Sequence, residues 1–199
     1  MRYKYDIQQR QKMRHQFGEQ SWKIEKAMQW SLDAMQKKAA TMISKEIRQT
    51  YNIKTSDVKR AIRLDWARRA ASRTILYTGR RLPLERFSPR AKIVRVNATS
   101  INGRTYRTRR KGVTVRVRRD KGAQLVGRAG RQSGGWYAKG HVLRRASYSD
   151  NRSEPHMQFG PSIPGMVAHP QLIADTQEMV RRELPQQFSD RLDYLLSQS

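Results

Sequence analysis

The chain has 199 residues, of which 42 are Lys or Arg and 16 are Asp or Glu, giving a formal net charge of +26. It contains no cysteine, which excludes disulfides, thiolate metal sites and a cysteine nucleophile. No apolar run approaches the roughly 18 residues of a membrane span, and the first residues lack the apolar stretch of a signal peptide. We therefore expect a protein made and kept in a cytoplasm, away from membranes, whose charge requires an acidic partner.

The positive charge is concentrated in the middle of the chain. Residues 80–152 contain 21 basic and 3 acidic residues, whereas residues 1–79 contain 18 and 7. Residues 153–199 contain 3 basic and 6 acidic residues, so the C-terminal end is acidic. This asymmetry suits contact with another molecule or with a neighbouring copy of the chain.

The N-terminal quarter has the spacing of a helix. Apolar residues recur every three or four positions over residues 21–50, which predicts one long amphipathic helix. The polar residues 1–20 before it are predicted to form an arm. After it, Thr55 or Ser56 can cap a short second helix that includes Ile62 in its apolar stripe.

From residue 73 the apolar period changes from 3.6 to 2, which is typical of strands. Asn102-Gly103 supplies the residues that a tight hairpin turn needs at positive φ. The predicted strands are residues 73–78, 91–98, 105–109 and 113–118, followed by a pair at Trp136-Tyr137 and His141 to Arg144. We expect residues 91–126 to form an antiparallel meander with one basic face, either as part of a domain sheet or as a projecting hairpin.

The C-terminal part returns to helical spacing. Residues 159–166 (Phe-Gly-Pro-Ser-Ile-Pro-Gly-Met) predict a rigid turn, and a final helix follows from Pro170. Proline inside a helix costs about 3 kcal/mol, so we expect a kink or two abutting helices at Pro185. The predicted fold class is α+β: an antiparallel, partly basic β-sheet packed with long N- and C-terminal helices, as a single domain over residues 21–199.

No arrangement of residues in the sequence favours an enzyme. The four histidines are isolated, and the glycine-rich loop before Trp136 lacks the Gly-Lys-Ser/Thr ending of a phosphate-binding loop. Ser162 lies between prolines rather than on a nucleophile elbow. Acidic residues in the middle of the chain are too sparse for a catalytic carboxylate pair. We expect no catalytic residues, no metal and no cofactor.

Basic residues of the meander and the loop after it are the candidate functional residues. Arginine outnumbers lysine there, which favours recognition of phosphate or carboxylate by a planar fork. The candidates are Arg107, Arg109, Arg110, Lys111, Arg116, Arg118, Arg119, Arg128, Arg131, Arg144 and Arg145. Two interpretations remain open: sequence-independent contact with a phosphate backbone, or solvated strand faces that contact an acidic protein.

Several motifs follow one another in a distinctive order. Tyr51-Asn52-Ile53-Lys54 leads from the long helix into Asp57-Val58-Lys59-Arg60, and Gly79-Arg80-Arg81-Leu82-Pro83-Leu84 precedes the basic strands. Phe159-Gly160-Pro161-Ser162-Ile163-Pro164 then precedes a terminal helix that contains Arg181-Arg182-Glu183-Leu184-Pro185. In this order and spacing, residues 21–196 resemble the minor tail protein Z family of long-tailed bacteriophages. The N-terminal 20 residues and the arginine-rich meander depart from that pattern.

The resemblance implies a virion structural protein that completes the tail at its head-proximal end. Its neighbours there would be the tail terminator and the neck or connector proteins, close to the genomic double-stranded DNA that is held before ejection. The resemblance also implies association on the symmetry axis of the tail, most simply as a ring of six copies. The alternative from a different class is a free, sequence-independent nucleic-acid-binding protein.

The amount of charge limits the share that DNA can use. A domain of this length is about 40 Å across, and that length of duplex carries on the order of 24 phosphate charges. Six copies of a +26 chain carry about 156 positive charges, far more than one threaded duplex can neutralise. We therefore expect most of the charge to face acidic tail or neck proteins, neighbouring subunits or counter-ions, with DNA taking a smaller share.

Overall fold

The computed structural model describes residues 21–65, 72–99, 102–127, 134–145 and 154–198. Within these ranges the chain forms four α-helices, one 3-10 helix and ten β-strands, and every strand pair is antiparallel. The predicted α+β class with long N- and C-terminal helices is confirmed. The predicted arm, residues 1–20, lies outside the described residues.

Two long helices stand at the two ends of the described chain. Helix α1 is Ser21–Thr50 and helix α4 is Pro170–Ser197. Proline at the start of α4 suits that position, because the first N–H groups of a helix have no intrahelical acceptor. The shorter helices are α2, Thr55–Ala61, and α3, Ile163–Val167. None of the helices in the described ranges is long and apolar enough to cross a membrane.

The strands form four small sheets. In chain order they are β1 (Ile62–Asp65), β2 (Thr74–Tyr77), β3 (Arg81–Pro83), β4 (Arg90–Thr99), β5 (Thr105–Val115), β6 (Gln124–Leu125), β7 (Trp136–Ala138), β8 (His141–Arg145), β9 (Pro155–Met157) and β10 (Phe159–Ser162). The sheets have the orders β1-β2, β10-β3, β4-β5-β6 and β7-β8-β9. The 3-10 helix, Leu84–Phe87, follows β3. The predicted hairpin turn at Asn102-Gly103 joins β4 to β5, with Gly103 at φ 75°.

The described chain divides into two compact units. The first, which we call the helical unit, comprises residues 21–46, 59–65, 72–78 and 164–198. The second, which we call the basic unit, comprises residues 47–58, 79–99, 102–127, 134–145 and 154–163. The prediction of one domain over residues 21–199 stays a prediction.

The core of the helical unit lies between α1 and α4. Met35 and Ala39 of α1 pack with Met179 and Val180 of α4, and all four are buried. The β1-β2 hairpin is tied to α1 by Gln36, whose side-chain amide donates to the carbonyls of Asp65 (3.0 Å) and Thr74 (2.8 Å). Those two carbonyls belong to the cross-strand pair next to the connecting segment, so a single glutamine holds that end of the hairpin.

The core of the basic unit contains Phe87, which is fully buried at the end of the 3-10 helix. Val113 and Val115 of β5 and Val142 of β8 are also buried. The alternating valines that predicted β5 therefore do face the interior of this unit, as a strand with one apolar face requires.

Three predicted elements differ from the structure. Ile62 does not continue α2: it begins β1 and pairs with Tyr77, because the partner strand lies well beyond the short helix in the chain. Residues 105–109 and 113–118 are not separate strands. One strand, β5, runs through Gly112 and ends at Val115, after which the Val117 carbonyl accepts a hydrogen bond from the Asn52 N–H instead.

The C-terminal predictions also need correction. The segment predicted as a rigid turn forms β10 and α3, because Phe159 and Ser162 pair with β3. Helix α4 is one continuous helix with Pro185 inside it, rather than two abutting helices. Apolar side chains on both sides of the proline, such as Val180 and Leu195, are buried, and this burial offsets the missing hydrogen bond.

Candidate basic interaction surface

The β4-β5 hairpin is the largest strand pair of the basic unit. Its register is regular from Arg90 opposite Thr114 to Thr99 opposite Thr105. At its base Val113 and Val115 are 2% and 3% exposed. Toward the turn the described side chains become exposed, and Ile93, an apolar residue, is 65% exposed. Of the two alternatives left open by the sequence, this exposure favours a projecting hairpin. We call the part that lies beyond the buried base, residues 92–99 and 102–111, the outer hairpin.

Two basic residues occupy directly opposite positions on this hairpin. Arg95 and Arg109 occupy directly paired positions, and Lys111 is paired with Ile93. Like charges directly opposite on neighbouring strands destabilise the pair, and an isolated two-stranded hairpin is only marginally stable. The outer hairpin is therefore expected to gain stability from an anionic partner.

The sequence-predicted candidates fall into separate groups in the structure. Arg107, Arg109 and Arg119 have exposed side chains. Arg110 and Lys111 occupy known register positions on β5, but their side chains lie outside what the structure describes. Arg128 and Arg131 lie outside the described residues altogether.

Arg116 and Arg118 stabilise the turn that follows β5. Arg118 donates from Nε and Nη2 to the two carboxylate oxygens of Asp120, at 2.9 and 2.8 Å, and lies 5.7 Å from the ring centre of Tyr51. Its hydrogen bond lowers the pKa of Asp120 and raises that of Arg118 itself. Arg116 donates to the carbonyls of Arg119 and Lys121. These two arginines therefore hold local structure and offer less to a partner than Arg107 and Arg109.

Arg144 and Arg145 are partly buried on β8. The Arg145 guanidinium lies 5.8 Å from the ring centre of Trp136, a cation–π contact within its own sheet. His141, at the start of β8, has Nδ1 3.0 Å from Glu85 Oε1. These contacts anchor the β7-β8 pair within the basic unit, so the two arginines form a group separate from the outer hairpin.

Three motifs that are far apart in the sequence meet around Phe87. The Asn52 amide donates to the Phe87 carbonyl at 3.3 Å, and β3 pairs with β10. A Cβ added to Gly160 would lie 2.7 Å from Phe87 Cε2, so only glycine fits without movement. The segments that begin at Tyr51, Gly79 and Phe159 therefore build one structural centre.

Sequence reasoning missed an ion pair with a buried carboxylate in this region. Asp57 lies in the first turn of α2 with its carboxylate buried, and its Oδ1 lies 3.3 Å from Nη1 of Arg86, whose side chain is 43% exposed. No local pattern links two residues so far apart in the chain. The only signal is the scarcity of acidic residues here, because each one that is present is then expected to have a structural partner.

The helical unit contains an apolar cavity that sequence reasoning did not predict. Its volume is about 360 Å³, and its wall includes the buried Arg73 and the phenol of Tyr77. Arg73 forms an ion pair with Asp33 of α1, and burial raises the pKa of Tyr77 above its ordinary value. The apolar part of the wall comes from Leu32, Met35, Ala39, Ile43, Ile75, Pro164, Val167, Ala168, Leu172, Ile173, Val180 and Leu184.

Within the described residues, no group of three His, Asp or Glu side chains is placed to hold a metal ion. Comparisons with protein-family models, with curated proteins and with solved structures found no match to this chain.

Proposed function

We propose that this chain is a virion structural protein, a minor tail or tail-completion protein at the head-proximal end of a bacteriophage tail. It assembles there as a ring, most simply of six copies, next to the tail terminator and around the DNA channel. Its role is to join acidic neighbours rather than to catalyse a reaction.

The observation that carries this proposal is the meeting of the motifs at Phe87. The segments beginning at Tyr51, Gly79 and Phe159 carry much of the resemblance to tail protein Z, and they contact one another through Asn52, the β3-β10 pair and Gly160. Motifs that pack together have a physical reason to keep their order and spacing. Their convergence therefore supports reading the resemblance as one shared architecture rather than as several chance matches.

Charge also supports a role in assembly. The described part of the basic unit has 20 Lys or Arg against 4 Asp or Glu. Three of those four carboxylates are already paired within the unit, with Arg86, His141 and Arg118. Most of the arginine charge is thus available to neighbours, and acidic terminator or neck proteins are suitable partners.

Two measurements test the proposal together. Negative-stain microscopy and mass photometry of the purified protein should find rings, and gold labels on a tagged copy in intact virions should lie at the head-proximal end of the tail. A matched pair of variants sharpens the test: Ile93→Ala should still form rings, whereas Phe87→Ala, which removes the shared centre, should not. Persistent monomers together with labels at the tail tip would contradict the proposal.

The alternative is a free protein that binds nucleic acid without sequence preference. It is favoured by the same run of arginines, which suits a phosphate backbone. It predicts tight binding of duplex DNA by the monomer, and no copy of the protein in purified virions. Quantifying the protein in purified virions by mass spectrometry distinguishes the two functions directly.

A further inference from the structure

We propose that the outer β4-β5 hairpin contacts the sugar–phosphate backbone of duplex DNA without reading its bases. The DNA binding follows from the hairpin itself, and only its place in the virion rests on the proposed function. The hairpin thus supplies the smaller share of the positive charge, which faces DNA. The remaining basic residues face neighbouring proteins.

The segment that contains the hairpin has no acidic residue. Between Glu85 and Asp120 the sequence has twelve Lys or Arg and no Asp or Glu, and ten of the twelve are arginine. A guanidinium binds phosphate oxygens through two parallel hydrogen bonds, so an arginine-rich ribbon suits a line of phosphates.

The hairpin carries basic residues on both of its faces. Successive side chains of a strand point to opposite faces, and directly paired residues share a face. By register, exposed Arg107 and Arg109 share one face with Ile93, while exposed Lys92 and the position of Arg110 belong to the other. A ribbon that lies on an acidic protein needs cations on one face only. The major groove of B-DNA admits a two-stranded ribbon and has a phosphate backbone along each side, so cations on both faces of the ribbon can reach phosphates.

Among the side chains that the structure describes, those of the outer hairpin offer few apolar anchors. The centre of a protein–protein interface is depleted of charge and rich in aromatic residues and methionine. Among the exposed, described side chains of the outer hairpin, Ile93 is the one large apolar residue, and the others are arginine, lysine, asparagine and threonine. Such positively charged and polar groups are the usual donors to phosphate oxygens.

A second copy of the chain is a poor partner for this ribbon. The described helical unit has 12 basic against 9 acidic residues, and the basic unit is more positive still. The most acidic element that a copy offers is the C-terminal helix, residues 170–197, which has five acidic against three basic residues. Duplex DNA is far more strongly anionic than this helix and is therefore the better partner for the hairpin.

Fluorescence anisotropy with a labelled duplex of about 25 base pairs tests the inference across a series of salt concentrations. The full chain should bind two unrelated duplex sequences equally, with an affinity that falls steeply as salt rises. The variant Arg107→Gln with Arg109→Gln should reduce the steepness of the log–log salt slope by about 2, since each phosphate contact contributes roughly 1. Arg107→Lys with Arg109→Lys keeps the charge and should retain most of the slope.

The matched control is Arg60→Gln with Arg63→Gln, which removes two exposed arginines from the helical unit. It should leave the slope within experimental error of the parent chain. The inference is overturned if the hairpin and control variants lose the same slope, or if the parent chain does not bind duplex DNA. Equal affinity for polyglutamate of matched charge, lost in the same hairpin variant, overturns it in favour of an acidic protein partner. Ring formation and virion labelling report on the proposed function separately.

Discussion

The helical unit and the basic unit differ in how far their acidic residues balance their basic residues. In the described residues the helical unit has 12 basic and 9 acidic residues, and its charges meet in internal pairs such as Arg73 with Asp33 and Lys38 with Glu183. The basic unit has 20 and 4, so it cannot balance its charge internally. Of the net charge of +19 on the described residues, +16 therefore belongs to the basic unit.

The largest expected effect follows from removing the buried aromatic ring at the centre of the basic unit. Phe87→Ala deletes a fully buried aromatic ring and should lower the free energy of unfolding by about 4 kcal/mol, because the lost burial and the cavity both count. Chemical denaturation followed by circular dichroism measures it. Ile93→Ala, at a residue that is 65% exposed, should change stability by less than about 0.5 kcal/mol. Equal losses in the two variants would mean that the motifs do not share a core.

The next largest effect is expected in the helical unit. Arg73→Met removes a guanidinium whose side chain is 6% exposed and leaves the Asp33 carboxylate, 30% exposed, without this partner. Breaking a buried pair from one side costs about 3 kcal/mol at the lower end of the observed range, and the partial exposure of Asp33 places the loss there. Thermal unfolding provides the measurement, with Arg63→Met at an exposed position as the control. A loss no greater than that of the control would show that the pair does not stabilise the unit.

A smaller effect tests the glycine beside Phe87. Gly160→Ala places a methyl group where Phe87 Cε2 already lies 2.7 Å away, and overpacking of this kind costs about 2 kcal/mol. Gly122→Ala is the matched control, since a Cβ there meets no atom within 4 Å. The difference between the two melting temperatures reports the clash. Indistinguishable melting temperatures would contradict the close approach of β10 to Phe87.

The smallest effects concern one carboxylate in each unit, the half-buried Glu183 and the exposed Asp120. Lys38, with Nζ 2.5 Å from Oε2 of Glu183, holds the pKa of Glu183 below its ordinary value of 4.5, and Arg118 does the same for Asp120. Because these pKa values are lowered in the folded chain, the pairs stabilise it above the ordinary carboxyl pKa. That stabilisation is lost as the pH falls through the lowered value.

Titration by nuclear magnetic resonance measures these pKa values residue by residue. Lys38→Gln should raise the pKa of Glu183 toward 4.5, and Arg118→Gln should raise that of Asp120 toward 3.8. Lys45→Gln, on an exposed position of α1, should leave both unchanged. A pKa of Glu183 that does not respond to Lys38→Gln would remove this ion pair from the account of the helical unit.

Local patterns predicted most of the elements. The apolar period of α1 was sufficient, because one face of this helix is buried. The alternation in β4 also predicted a strand, although the described side chains of β4 are exposed. The turn at Asn102-Gly103 followed from the backbone conformation that such a turn needs. The α+β class followed from these elements together.

Features that depend on distant partners could not be predicted. Ile62 sits at helical spacing from Val58, yet its pairing with Tyr77 makes it a strand residue. The pairing of β3 with β10 and the contact of Gly160 with Phe87 join segments separated by more than 70 residues. The candidate arginines were recognisable as a group from composition. Their division into exposed residues, such as Arg107, and residues that hold a turn, such as Arg118, required coordinates.

We propose that the basic unit faces anionic partners at the head-proximal end of a tail. A reconstruction of intact virions by electron cryomicroscopy, with a small tag on this chain, tests it most directly. The account predicts density for the chain as a ring beside the tail terminator, with the β4-β5 hairpin turned toward the channel that holds DNA. Density at the tail tip, or a hairpin turned away from every anionic neighbour, would contradict it.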